Sequence, residues 1–351
     1  MFARLAAVSF LTGGIPVRAP NAALWLVAFL HMIAGEVVMS ASAADRSLIL
    51  ERTIPLENVT GRIDHMAIDL AGGRLFVAEL GNDSVDVVDL RAGEVTQRLS
   101  ELKEPQGIAY IADRDMLVVA NGGDGSARLY RAGDMSFLGS IALGKDADNV
   151  RIDPVTGHVL VGYGNGGLAI LDPTTHSKVG DIRLVGHPES FQLDQKTGRV
   201  FVNVPDAQQI AVADLKLRDQ VAAWKVPGLA ANFPMAFDDT SGQLAVAFRR
   251  PARLVLLNTT TGAVTESVDT CGDADDVFFD RKRGRIYVSC GDGRVDIVQD
   301  EPPGLRQAGY VATSRGARTA LFVPEIDRLL VAAPSHGAGS AAAILVFRPS
   351  D

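Results

Sequence analysis

A seven-fold recurrence constrains this chain more than any other feature of its sequence. Val77, inside RLFVAE, has counterparts at Val118, Val161, Val202, Val246, Val288 and Val331, at intervals of 41, 43, 41, 44, 42 and 43 residues. Such a period marks a stack of small units, each unable to bury its own apolar face. In the first unit the apolar runs fall at residues 65–69, 75–79, 85–89 and 95–99. Asp stands eight residues before the anchor at Asp69, Asp153, Asp194, Asp238 and Asp280, and Gly four before it at Gly73, Gly157, Gly198, Gly242 and Gly284. This is turn chemistry: Gly accepts positive φ and Asp caps nearby amides, so these aspartates are expected to be structural. Runs such as RLVLL and HVLVG are apolar on both faces, as in strands sandwiched between sheets.

Four-stranded antiparallel units of about 42 residues, packed face to face, build a β-propeller, and seven anchors predict seven blades. The last unit supplies only three strands, ending in AAAILVF. Its missing outer strand is expected at residues 48–56, LILERTIPL, which aligns with EVTQRLS and KVGDIRLV of other units. Closing the ring with both ends of the chain removes an exposed sheet edge. The expectation is an all-β propeller over residues 45–351.

Residues 1–44 differ in character. Arg4 and Arg18 precede an apolar run at 22–39, followed by Ser-Ala-Ser-Ala-Ala. This reads as a signal peptide cleaved before Asp45, giving a periplasmic or secreted protein. An uncleaved anchor is the rival, made costly by His31 and Glu36 inside the run. No other apolar run is long enough to span a bilayer, and a monomer is expected. The formal net charge of -8 disfavours a nucleic-acid partner. Cys271 and Cys290 flank an inner hairpin of the sixth unit, and antiparallel pairing brings them to one face. With an even cysteine count and an oxidising compartment, a disulfide is expected over two packed thiols.

RLFVAELGNDSVDVVDLRAG and RIYVSCGDGRVDIV resemble the repeats of YVTN-type β-propeller proteins, including the periplasmic YncE-like group, over about residues 48–347. The namesake tetrapeptide is degenerate: FVAE, LVVA, LVGY, FVNV, AVAF, YVSC and LVAA. The resemblance implies a secreted or periplasmic seven-bladed propeller whose relatives are mostly uncharacterised or proposed to be binding proteins. It implies no single activity, because the fold also hosts lactonases, dehydrogenase subunits and scaffolds.

Candidate chemistry lies at the start of each inner strand. Thirteen residues before the anchors stand Asp64, Pro105, Asp148, Glu189, Phe233, Asp275 and Arg318. Twelve before stand His65, Gln106, Asn149, Ser190, Pro234, Asp276 and Thr319, with His187 and Asp273 just upstream. Equivalent positions in seven blades form two rings around one mouth of the central channel. The ligand-binding candidates are therefore Asp64, His65, Asp148, Asn149, His187, Glu189, Asp275, Asp276 and Arg318. Carboxylates and imidazoles converging there can bind a cation or a small polar ligand, and crowded carboxylates shift each other's pKa values as an acid–base pair requires. Asp64, His65, Asp275 and Asp276 are candidate ligands for a divalent metal ion. The structural reading is that the same groups cap loops and pair with Arg62, Arg315 and Arg318. The function expected is a binding or scaffold module for a polar ligand or a protein partner. The alternative is a lactonase-like hydrolase, with or without a metal, working through these carboxylates and His65.

Overall fold

The computed structural model describes residues 47–336 and 341–351; the expected signal segment, 1–44, lies outside them. Within these residues, 28 strands form seven four-stranded antiparallel sheets. The inner strands of blades 1 to 7 are Met66–Asp69, Pro105–Ile111, Ala147–Ile152, Phe191–Asp194, Ala230–Asp238, Ala274–Asp280 and Ala320–Val323. Leu48–Leu56 pairs antiparallel with Ala342–Pro349, in register from Leu48 opposite Pro349 to Leu56 opposite Ala342, and so completes blade 7. Its Leu48, Ile54 and Leu56 side chains are buried.

The alternation of the strands is what closes the ring. Successive side chains point to opposite faces, so each blade gives one set to the blade before it and one to the blade after it. Seven apolar clusters result, one at each interface between blades. The cluster joining blades 7 and 1 holds Ile54 and Leu56 of the closing strand together with Val77 and Leu330.

In six blades the anchor valine pairs with the residue eleven before it, as Met66 pairs with Val77 and Val277 with Val288. Blade 2 corrects the register read from the sequence. There Ile108 pairs with Val119, and Val119 packs toward blade 1 while Val118 packs toward blade 3. Val119 is thus the true equivalent, and Gln106 and Gly107, not Pro105 and Gln106, occupy the two ring positions. The slip has a local cause. Blade 2 lacks the Asp–Gly turn and instead puts Asp115 in the left-handed region (φ 46), as blade 7 does with Asp327 (φ 53). Gly107 is required at its place: a Cβ there would lie 2.1 Å from Asp148 O.

The turn aspartates are buried and bonded to their own turns. Asp69, Asp153, Asp194 and Asp238 each accept a backbone N–H from two or three residues on, at 2.9–3.0 Å. Asp280 accepts from Arg283 and Tyr287. Cys271 and Cys290 are joined by a disulfide across the inner hairpin of blade 6. Among the described residues, no helix is long and apolar enough to cross a membrane.

Candidate functional site at one mouth of the channel

The ring residues sit on bulges. In blade 1, Ala78 receives the Asp64 N–H at its carbonyl and gives its own N–H to His65 O; Asn203 does the same with Glu189 and Ser190 in blade 4. In blades 3 and 6 the pairing register breaks across Asp148–Asn149 and at Asp275. Two residues facing one re-aims side chains out of the regular pleat, here toward the channel.

All nine candidates line one of two connected spaces. A chamber of about 20 Å³, enough for roughly one water, is walled by Asp64, His65, Asp148, Asn149, Glu189 and Asp276 among others. A vestibule of about 170 Å³ lies beside it, and His187, Arg249 and Arg318 belong to its wall. Asp148, Glu189, Arg62, Phe233 and Asp275 border both.

The acidic mouth expected from the sequence is largely neutralised. Arg62 Nη2 lies 3.0 Å from Asp64 Oδ2. Asp275 bonds Arg249 and lies 3.3 Å from Arg318 Nε, while Asp273 pairs with both arginines at 3.1 and 2.8 Å. Arg249, which the sequence did not single out, also stacks over the Phe233 ring at 3.8 Å. Asp276 Oδ2 accepts the Ala320 N–H at 2.8 Å. Asp64, His65, Asp275 and Asp276, the candidate metal ligands, all border the chamber, and each carboxylate among them already has a partner of its own. Among the described residues, no group of three or more His, Cys, Asp or Glu is placed to hold a metal ion.

Asp148 and Glu189 are different. Neither carries an arginine or lysine partner within 4.0 Å among the described residues; the nearest cation to Asp148 is His187 Nε2 at 3.9 Å. Asp148 Oδ1 and Asn149 Oδ1 are buried with no hydrogen-bond partner.

Titration follows from this crowding. Burial and the neighbouring Asp148 carboxylate push Glu189 up to about 8. Burial likewise raises Asp276 to about 7. Burial alone would lower the imidazoles, yet the Asp64 contact lifts His65 to about 9, and the Asp148 contact lifts His187 to about 9. Every one of these groups holds its proton more tightly folded than unfolded. Their contribution is therefore complete below the unfolded pKa values and is lost as pH rises through the folded ones. Each such proton tilts stability by about 1.4 kcal/mol per pH unit. The urea midpoint should accordingly fall between pH 6.5 and 9, and a midpoint constant across that window would contradict the arrangement. Asp64 has the opposite sign: despite burial, His65 and Arg62 hold it low, so its contribution is lost only under acid conditions.

Solved structures with the same architecture differ widely in sequence. A chain of Kuenenia stuttgartiensis hydrazine synthase superimposes with a TM-score of 0.72 at 15% identity, over 84% of this chain and 98% of that one. A chain in the crystal structure of a mitotic checkpoint complex gives 0.75 at 15% identity, over 98% and 100%. These likenesses show the fold. It is a seven-bladed β-propeller. No protein-family model matches the chain, and no curated protein matches it in sequence. A propeller fold is consistent with a binding or scaffold role.

Proposed function

We propose that this propeller is a secreted or periplasmic binding protein of the YVTN type, and that its channel mouth takes a small ligand bearing an ammonium group. The observation that carries the reading is the pair of buried, partnerless acceptors, Asp148 Oδ1 and Asn149 Oδ1, lining one chamber. Burying a polar atom without a partner costs about 1–3 kcal/mol, so such acceptors favour a guest that donates. An ammonium group offers three donors and no acceptor. Its charge also complements Asp148 and, once its proton is released, Glu189, two carboxylates with no arginine within 4.0 Å among the described residues, whereas Arg62, Arg249 and Arg318 are engaged by Asp64, Asp273 and Asp275. The YVTN-type repeats and the apolar leader support the exported placement.

Thermal unfolding with ethanolamine, putrescine and other small primary amines, each beside its alcohol counterpart, tests the reading. A ligand at a hundredfold excess over its Kd stabilises the folded state by about 2.7 kcal/mol. At least one amine should raise the melting temperature and its alcohol should not. Asp148→Asn should abolish that shift, and its ligand-free melting temperature is the baseline for the comparison, because the substitution also weakens the contact with His187 and the repulsion of Glu189. Failure of every amine on wild type, or full retention of binding by Asp148→Asn, would refute it.

A further inference from the structure

A second pocket, of about 390 Å³, opens toward the hairpin ends of the inner strands, away from the mouth just described. That volume falls in the range of sites for small organic molecules, roughly 300–1,000 Å³. Met235, Phe237, Phe278, Phe279 and Phe322 supply much of its wall. Arg151, on the inner strand of blade 3, is set into the same wall.

Of the cations lining this pocket, Arg151 alone lacks a carboxylate within 4.0 Å among the described residues. Arg281 pairs with Asp238 and Asp239, and Lys282 with Asp327. The Arg151 guanidinium donates from Nη1 to Val150 O at 2.9 Å and lies 5.7 Å from the Phe191 ring centroid. Its remaining N–H groups are not engaged by any carboxylate. Burial is its dominant perturbation and lowers its pKa, which Asp276 and Asp148 only partly offset. A charge held in that way is costly to a folded chain unless something neutralises it.

We infer that this pocket binds an organic anion with an aromatic or aliphatic body, its carboxylate held by the Arg151 guanidinium. The planar fork of arginine matches a carboxylate with two parallel hydrogen bonds. The phenylalanine wall removes the apolar body from water, at roughly 25 cal/mol per Å² covered. Asp276, whose Oδ2 accepts the Ala320 N–H, also borders the pocket. Burial raises its pKa to about 7, so at pH 6.5 the protonated form, which does not repel an anion, predominates. The occupant is opposite in charge to the amine proposed at the mouth, so either site can fail without the other.

Binding of benzoate, 3-phenylpropionate and octanoate to the full chain tests the inference, measured by calorimetry at pH 6.5 beside benzyl alcohol, benzylamine and phenyl phosphate. At least one carboxylate should bind, and the neutral alcohol and the amine at least tenfold more weakly. Phenyl phosphate binding more tightly than every carboxylate would overturn the carboxylate assignment. Arg151→Met should lose at least tenfold in carboxylate affinity, yet melt at or above the wild-type temperature, because an unpaired buried charge is removed. No carboxylate binding at millimolar concentrations, equal binding of benzyl alcohol, or unchanged affinity in Arg151→Met would each overturn it. The comparison of carboxylate with alcohol uses wild type alone and so decides the matter even if the variant fails to fold.

Discussion

A chain lacking Leu48–Leu56 should not fold cooperatively. Three of its side chains, Leu48, Ile54 and Leu56, are at most 1% exposed and lie in the clusters that join blade 7 to blades 6 and 1. At ~1.5–3 kcal/mol for each fully buried aliphatic side chain, their loss alone removes about 6 kcal/mol. The ladder to Ala342–Pro349 goes with them, and that strand becomes an open edge on which other chains can pair. Domains are stable by about 5–15 kcal/mol in total, so the deletion consumes most or all of it. Urea titration followed by circular dichroism should show a broad, shallow transition, and light scattering should show association. A truncated protein with the wild-type midpoint and slope would mean that the ring is held by something other than this strand.

Removing the Cys271–Cys290 bridge should have the second-largest effect. The cysteines are 19 residues apart and both buried, in the cluster between blades 5 and 6. Closing a loop of that length restricts the unfolded chain and stabilises the fold by about 3 kcal/mol on the chain-entropy estimate. Cys271→Ala with Cys290→Ala should lower stability by at least that amount, since two packed sulfur atoms are also removed. The same loss should appear when the wild type is unfolded in a strong thiol reductant, and the double variant should be indifferent to reductant. Two alkylatable thiols in unreduced, denatured protein would contradict the bridge.

The architecture was legible because a propeller repeats its constraints. Each blade needs an apolar residue at the anchor, a turn of fixed length before it and a pairing partner eleven residues upstream, so seven weak signals reinforce one another. Where one blade departs from the pattern, sequence alone loses the register. MLVVAN in blade 2 offers two adjacent valines, and without an Asp–Gly turn nothing local says which is the anchor. Only packing against blade 1 picks Val119.

The mouth was legible as a position and not as a charge state. Counting back from the anchors locates Asp64, Asp148, Glu189 and Asp275 on one ring, because that is a matter of strand length. What neutralises them is not periodic. Arg249 reaches Asp273 and Asp275 because the second strand of blade 5 runs on to Arg250, longer than its counterpart in any other blade. Arg151 was missed for the opposite reason. It sits ten before its anchor, where Ala67, Gln192, Ala236, Phe278 and Leu321 stand in other blades. A single arginine among such residues was the available signal. The three phenylalanines nine before their anchors, Phe237, Phe279 and Phe322, line the same pocket, and in sequence an apolar residue there looks the same whether it forms a pocket wall or core.

The cation site proposed at the mouth is tested most directly by proton release. Burial and Asp148 keep a proton on Glu189 up to about pH 8, and an ammonium group seated between the two carboxylates must displace it. Calorimetry of the tightest-binding amine at pH 7, in two buffers of different ionisation enthalpy, should report release of up to one proton per ligand bound. The affinity should rise as pH goes from 6 to 8, by up to tenfold per unit. Asp148→Asn should remove both effects. Binding without proton release, and with the same affinity at pH 6 and 8, would contradict the assignment of the ligand to Asp148 and Glu189.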